Sequence, residues 1–352
     1  MSAYDPKQTL AYLSKSSFWV FNMRVVVLGE VTAMLRTIAI GLLLACLALW
    51  PGNASAQGGA WETYMAAGTK DYRQGHYTEA VKQFKAAIKE AEGFRPDDPR
   101  LATSVNDLAV LYQAQGKYAE AEPLYKRSLA IRKKTLGPKH PVLAESLNNL
   151  AELYRVQGKY AKAEPLHKRS LAIWEKALGP GHPQVATGIN NLATLYQAQG
   201  KYAEAEPLYK RSLAIRKKNL GPKHPRVARV LNNLAILYKT QGKYAKAELL
   251  YKRSLAIQVK ALGPEHPNVA HSLNNLARLY QAQRKYAEAE PLYKRSLTIR
   301  EKALGPGHPQ VALSLENYAS LLRKTGRANE AAQMEARAKA IRAKHAEQNP
   351  TK

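Results

Sequence analysis

Five histidine-proline pairs are the residues in this sequence whose type and regular spacing first suggest chemistry. Each pair stands 42 residues from the next, and each histidine carries a nitrogen that could bind a metal ion. Metal ligands must all lie about 2 Å from one ion, whereas residues one repeat period apart belong to different structural units. We therefore predict that the histidines begin helices, with proline at the first helical position. The five are His140, His182, His224, His266 and His308.

No other arrangement of residues points to catalysis. Gly116-Lys117-Tyr118 and its copies resemble the end of a phosphate-binding loop, but Ser or Thr is missing and no predicted strand precedes them. Neither HExxH nor GxSxG occurs in the sequence. His167 replaces the buried tyrosine of its repeat, so we expect a core residue there rather than a base. The sequence predicts a protein that is not an enzyme and that needs no cofactor.

The histidine spacing belongs to a 42-residue repeat, and a fixed period of this length indicates stacked structural units. A divergent repeat at 57–97 precedes five regular units at 98–307, and a degenerate sixth unit at 308–345 is followed by a tail at 346–352. One unit cannot bury enough apolar surface alone, so the units must stack and the two irregular ones must cap the ends. The five regular units are Asp98–Lys139, His140–Gly181, His182–Lys223, His224–Glu265 and His266–Gly307.

Each unit is predicted to contain two helices. In the third unit, Val185 and Ile189 begin an apolar series at helical spacing, and Gly200 ends the first helix. Ala205 and Tyr209 mark the buried face of the second helix. A helix-turn-helix unit with one apolar face on each helix follows from this spacing.

The pattern Leu-Ala-x-x-Tyr, then Gly-x-Tyr, then Ala-x-x-x-Tyr resembles the tetratricopeptide repeat. The 42-residue form with LNNLA, KYAEAEPLYKRSLAI and LGPxHP is similar to the kinesin light chain type, and the resemblance is good over 98–345 and loose over 58–97. It implies an all-α fold, an α-solenoid in which helix-turn-helix repeats form a right-handed superhelix. It also implies an interaction scaffold that binds peptides or proteins in its concave groove.

A polar stripe follows the first helix of each unit. In the third unit it consists of Thr187, Asn190, Thr194 and Gln197, whose spacing of 3, 4 and 3 places them on one face, away from the apolar residues. An amide has both donors and an acceptor, so a row of asparagines could hold a peptide backbone while the variable neighbours select its sequence. In the first, second, fourth and fifth units the stripe is Thr103, Asn106, Val110, Gln113; Glu145, Asn148, Glu152, Arg155; Arg229, Asn232, Ile236, Lys239; and His271, Asn274, Arg278, Gln281.

The asparagines also have a structural interpretation, in which they bond within or between helices. We interpret the second asparagine of each pair, such as Asn191, in this way, because it shares a small, apolar stripe with Gly188. For the first asparagine the resemblance supports binding, since in kinesin light chains this residue and the arginine after LAI contact peptide cargo. The positions that this implies here are Asn106, Asn148, Asn190, Asn232, Asn274, Arg132, Arg216 and Arg300.

The pattern is interrupted in three places. Trp174 and Gln258 replace the arginine in the second and fourth units, and Glu316 replaces the asparagine in the sixth. We expect the groove to end before the sixth unit.

The charge balance suggests the class of partner. Lys plus Arg number 54 against 27 Asp plus Glu, for a net charge of +27, and most of the excess lies in the repeats. Such an excess favours acidic proteins, nucleic acid or anionic lipid, or it reflects an organism whose proteins are generally basic. We predict an acidic peptide or protein partner and no small-molecule substrate. The second hypothesis is electrostatic binding to a polyanion, with nucleic acid disfavoured by export.

Residues 34–56 resemble a secretory signal peptide, with a basic start, an apolar run and a small-x-small cleavage site that ends at Ala56. Residues 1–33 then form an uncertain extension, which suggests that translation starts at Met34 or at Met23. We expect a protein exported to the periplasm or secreted. An uncleaved segment would instead anchor the chain to the membrane. A further alternative is lipidation of Cys46, the single cysteine, which ends a lipoprotein-like box.

Overall fold

The computed structural model describes residues 54–95 and 98–348. The chain divides into two compact bodies, residues 1–60 and 61–352, and all regular repeats lie in the second. Most of the expected signal segment, including Cys46, lies outside the described residues; only its last three residues, with the predicted cleavage site at Ala56, are described. Among the described helices none is long and apolar enough to cross a membrane.

Fourteen helices and no strand make up the described residues, which confirms the all-α solenoid of paired helices. Odd-numbered helices are the first helices of the units, and even-numbered helices are the second. They are α1 Ala54–Gln74, α2 Tyr77–Glu92, α3 Pro99–Ala114, α4 Tyr118–Leu136, α5 Pro141–Val156, α6 Tyr160–Leu178, α7 Pro183–Ala198, α8 Tyr202–Leu220, α9 Pro225–Thr240, α10 Tyr244–Leu262, α11 Pro267–Ala282, α12 Tyr286–Leu304, α13 Pro309–Lys324 and α14 Ala328–Gln348.

The histidine of each His-Pro pair is the N-cap of a first helix. His182 Nδ1 accepts a hydrogen bond of 3.2 Å from the backbone N–H of Gln184, and Pro183 begins α7. The imidazole satisfies one of the N–H groups that a helix leaves unpaired at its start. This confirms the helix-start prediction, and no group of three potential metal ligands occurs among the described residues. The other four capping histidines are His140, His224, His266 and His308.

A residue with positive φ follows each first helix, as the glycine pattern predicts. Gly200 has a φ of +76°. Arg284 occupies the same position in the fifth unit with a φ of +60°, although this conformation costs a residue with a Cβ about 1 kcal/mol. The turn therefore persists without its glycine, because the two helices it joins are held by packing on both neighbouring units.

The predicted apolar faces form the core. Val185, Ile189, Ala205 and Tyr209 are at most 1% exposed. In the regular units a buried serine on the second helix also binds the first helix of its own unit: Ser212 Oγ donates to the Ala186 carbonyl at 2.7 Å. The same bond closes the other four regular units, through Ser128, Ser170, Ser254 and Ser296.

A polar clasp joins the second helix of each regular unit to the first helix of the next. Tyr238 Oη donates to Glu206 Oε1 at 2.9 Å, and Lys210 binds the same oxygen at 2.6 Å. The hydrogen bond from Lys210 is the main reason that the pKa of Glu206 lies below its usual value. The clasp recurs at four more junctions, through Tyr154, Tyr196, Tyr280 and Tyr318.

His167 lies in the core of the second unit, as predicted. Its side chain is 1% exposed, and neither ring nitrogen has a hydrogen-bond partner among the described residues. Burial lowers the pKa of the imidazole to about 4, mainly because the charged form would lose its hydration.

Replacing His167 by phenylalanine is expected to reduce the loss of stability in acid. Between pH 6.5 and about 4 the imidazole is protonated in the unfolded chain but neutral in the folded one, so the unfolded state binds more protons and stability falls as pH falls. From pH 7 to 4, urea unfolding should show a decrease about 3 kcal/mol smaller for His167→Phe than for the wild type. Parallel pH profiles for the two proteins would contradict this. His167→Tyr, which matches the other regular units, should behave like the phenylalanine variant.

Candidate peptide-binding groove

The predicted polar stripe of the first helices lines a cleft of about 730 Å³ that extends across α5, α7, α9 and α11. Arg226, Gln258 and Asn268 also line it and were not predicted, because they lie outside the 3, 4, 3 spacing. The structure thus brings the stripes of four units onto one surface. The predicted stripe residues in the cleft are Asn148, Glu152, Thr187, Asn190, Thr194, Arg229, Asn232 and His271.

The remaining predicted stripe residues lie on first helices but outside this cleft. Asn106 is on α3 and Asn274 is on α11, and both are buried. Glu145 and Arg155 are on α5, Gln197 on α7, Lys239 on α9, and Arg278 on α11.

The asparagines form a continuous ladder from unit to unit. Asn233 Nδ2 donates to Asn190 Oδ1 at 3.1 Å, so the second asparagine of one unit bonds the first asparagine of the unit before it. Asn191 thereby acts between helices, as predicted. The i to i+43 spacing of these pairs is the sequence signal of the ladder. The other four bonds, of 3.0–3.2 Å, join Asn149 to Asn106, Asn191 to Asn148, Asn275 to Asn232 and Asn317 to Asn274.

In each ladder bond the side-chain carbonyl of the first asparagine accepts the hydrogen bond. The amide group left for other partners is therefore its Nδ2 donor. In Asn148, Asn232 and Asn274, the Nδ2 group donates to no other described residue. In Asn190 it makes a longer contact of 3.4 Å with Asn191 Oδ1. The ladder therefore leaves a row of amide donors along the first helices.

The arginines that follow LAI are buried at junctions between units. Arg132 Nη1 donates to Ser146 Oγ at 2.9 Å, and Arg300 Nη1 donates to Ser314 Oγ at 2.7 Å, so each binds the next unit. Both side chains are at most 6% exposed. Arg216 is equally buried but donates to Thr187 Oγ1 of its own unit, at 3.1 Å.

Both residues that replace the arginine also meet the residue 14 positions later, in the next unit. Ser272 Oγ donates to Gln258 Oε1 at 2.8 Å. Trp174 is 3% exposed and packs against Gly188, where an added Cβ would lie 3.1 Å from the indole ring. The large indole therefore requires a glycine opposite it, whereas glutamine is compatible with the serine.

Charge divides the stripe between its two ends. Glu145 and Glu152 lie in the second unit, where Glu152 Oε2 accepts a hydrogen bond of 2.8 Å from Arg155 Nε. Arg229, Lys239 and Arg278 lie in the fourth and fifth units, and none forms a salt bridge within the described residues. The stripe is therefore acidic or charge-neutral in the second unit and basic in the fourth and fifth units.

Two further groups show how burial affects the basic end. Burial, and then the neighbouring Arg278, lowers the pKa of Lys239 to about 8. Burial also lowers the pKa of His271, together with Arg300 and Arg278. His271 Nε2 lies 3.1 Å from Asn275 Nδ2, so the ring is held against the asparagine ladder.

The profile of the Tetratricopeptide repeat family matches residues 62–134, 99–176, 142–218, 184–258, 250–302 and 269–344. The chain belongs to the tetratricopeptide repeat family. The nearly identical TPR-like repeats of a Podosopora anserina kinesin light chain are 32% identical, covering 60% of this chain and 99% of that one, with a TM-score of 0.48. The repeats of this tetratricopeptide repeat chain are thus similar in sequence to those of that protein.

Two other solved structures share the repeat fold. BtubC (BKLC) from P. vanneervenii is 25% identical, with a TM-score of 0.51, and the match covers 68% of this chain and 93% of that one. A Rap protein complexed with Competence and Sporulation Factor is 17% identical, with a TM-score of 0.62, and the match covers 82% and 76%. No curated protein matches the chain. Tetratricopeptide repeats are scaffolds typical of protein–protein interaction, and the fold of this chain is such a scaffold.

Proposed function

We propose that the protein is a non-enzymatic interaction scaffold that binds an extended, acidic peptide segment of a partner protein in the cleft across α5, α7, α9 and α11. The observation that carries the proposal is the cleft itself, in which oriented amides lie beside cations that have no carboxylate partner. We also propose that the protein acts after export, in the periplasm or outside the cell, or anchored to the membrane by its N-terminal segment.

The amide donors would bind the peptide backbone. Nδ2 of the cleft residues Asn148 and Asn232 has no hydrogen-bond acceptor among the described residues, so it could donate to carbonyl oxygens, and a peptide held in this way is recognised independently of its side chains. Residues that differ between units would then select the side chains. The Rap protein bound to Competence and Sporulation Factor has the same fold, and it supports the idea that such a solenoid holds a ligand.

Affinity capture from the cell envelope, followed by mass spectrometry, tests the proposal. The wild-type protein is compared with Arg226→Glu/Arg229→Glu, which reverses two charges that line the cleft, and with Arg253→Glu/Arg295→Glu. The second pair makes the same charge change at exposed positions on α10 and α12. We expect the groove variant to capture at least tenfold less of the native partner, and the control to capture it normally. Equal capture by both variants at normal yield would contradict the proposal.

Binding to a polyanion, such as anionic lipid headgroups or nucleic acid, is the second candidate, and the net charge of +27 favours it. Binding of that kind falls steeply with salt concentration and depends on total charge rather than on one surface. In the same experiment, equal losses in the groove variant and the control would support the polyanion. Loss in the groove variant alone would support the peptide.

A further inference from the structure

The same two positions carry opposite charges at one junction and like charges at another. At the junction between the first and second units, Arg132 is followed 13 residues later by Glu145. Glu145 and Asp107 both stabilise the charged form of Arg132. At the junction between the third and fourth units, Arg216 is followed at the same spacing by Arg229. At the junction of the first and second units the charge of Arg132 is balanced by carboxylates of the chain itself. At the junction of the third and fourth units, Arg216 has only other arginines near it.

Arg216 also lacks the hydrogen-bond partner that the other junction arginines have. Arg132 and Arg300 donate to serines of the next unit, but Val230 occupies that position in the fourth unit. Arg216 donates instead to Thr187, and its buried Nε, like that of Arg300, finds no acceptor within the described residues. Burial, and then repulsion from Arg229 and Arg226, lowers the pKa of this guanidinium to about 10.

These three arginines lie at the cleft without a counter-charge. Arg226 and Arg229 are exposed and line the cleft, and Arg216 lies beneath it at 3% exposure, bound to the cleft residue Thr187. Among the described residues none of the three forms a salt bridge. A buried cation is costly unless it is paired, and like charges at short range raise that cost. An anion from outside the chain would remove both penalties.

We propose that the junction between the third and fourth units is an anion subsite that binds a carboxylate side chain of the ligand and so fixes the register of the peptide in the groove. The inference rests on the proposed function and adds where the acidic residue sits. Arg216, Arg226 and Arg229 form the subsite. At the first junction Glu145 and Asp107 already supply the counter-charge of Arg132, so that junction offers an acidic residue no comparable site and the acidic part of the peptide is placed at the fourth-unit end.

Anion-dependent stability tests the subsite without a peptide. The probe is glutarate, a dicarboxylate, added at constant ionic strength, and the readout is the Tm. The wild-type Tm is expected to rise with glutarate. Arg229→Glu recreates the charge pair of the first junction, so it should raise the Tm without anion by about 2–4 °C and abolish the glutarate response. Arg229→Gln, which removes the repulsion without adding charge, should reduce the response. Arg253→Glu, which makes the same charge change outside the cleft, should retain it.

Several outcomes would overturn the inference. These are a glutarate response in Arg229→Glu as large as in the wild type, a fall in Tm in both Arg229 variants, or a response to inorganic phosphate but not to glutarate. Because the assay contains no partner, its result is independent of partner capture. A normal glutarate response together with partner capture that groove substitutions leave unchanged would reject the proposed function while retaining the subsite.

Discussion

Replacing Gly188 by serine is expected to lower the free energy of unfolding by about 2 kcal/mol. An added Cβ would lie 3.1 Å from two carbons of the Trp174 ring and 3.5 Å from Leu171 Cδ1, so the hydroxyl beyond it has no space. The indole is buried and is tied by Nε1 to the Pro141 carbonyl, at 3.1 Å, which limits its ability to move. Urea unfolding of the variant measures the cost.

Replacing Trp174 by glutamine is expected to cost about 4 kcal/mol, because it empties the space of a buried indole. Combining it with Gly188→Ser recreates the Gln258–Ser272 pair of the fourth junction. We therefore expect the double variant to be no less stable than Trp174→Gln alone. The coupling free energy between the two sites would then be about 2 kcal/mol. Additive losses would show that the two positions do not form a pair.

The asparagine ladder allows its structural and binding roles to be separated. Three successive ladder bonds can be removed in two ways, by substituting alanine for the three acceptor asparagines or for the three donor asparagines. We expect each triple variant to lose about 5 kcal/mol of stability, since each broken bond leaves a partly buried amide without its partner. The two sets are Asn148, Asn190 and Asn232, and Asn191, Asn233 and Asn275.

The two triple variants should differ in partner capture. Only the variant of Asn148, Asn190 and Asn232 should capture less partner, because it removes the amide donors that the proposed function assigns to the peptide backbone. Capture is compared at a temperature where circular dichroism shows both triple variants folded. Equal capture by the two sets would limit the ladder to a structural role. A stability loss confined to one set would contradict the hydrogen-bond pairing.

Features that depend on one helix were predictable from the sequence. The apolar spacing of Val185 and Ile189 indicates a helix face, and Gly200 indicates where the chain turns. The His-Pro pairs predict helix starts, because proline suits the first turn whatever the rest of the fold does. The repeat period then predicts how the helices stack, because only neighbouring units can cover their apolar faces.

Features that depend on contact between units were harder to predict. The apolar pattern of the sequence does not reveal the burial of Arg132, Arg216 and Arg300, because each is a charged residue whose hydrogen-bond partners lie 10 or more residues away. The ladder requires knowing that Asn190 faces Asn233 across a junction. Comparing residues 14 positions apart in the different repeats does reveal the contact between units. Trp174 occurs with Gly188, whereas Gln258 occurs with serine.

Arginine footprinting of the complex with the captured partner tests most directly whether the ligand lies in the cleft. Phenylglyoxal modifies accessible guanidinium groups, and mass spectrometry locates them. We predict that the partner protects Arg226 and Arg229, which line the cleft, and leaves the modification of Arg253 and Arg295 on the second helices unchanged. Protection of Arg253 and Arg295, with Arg226 and Arg229 still reactive, would contradict binding in the groove.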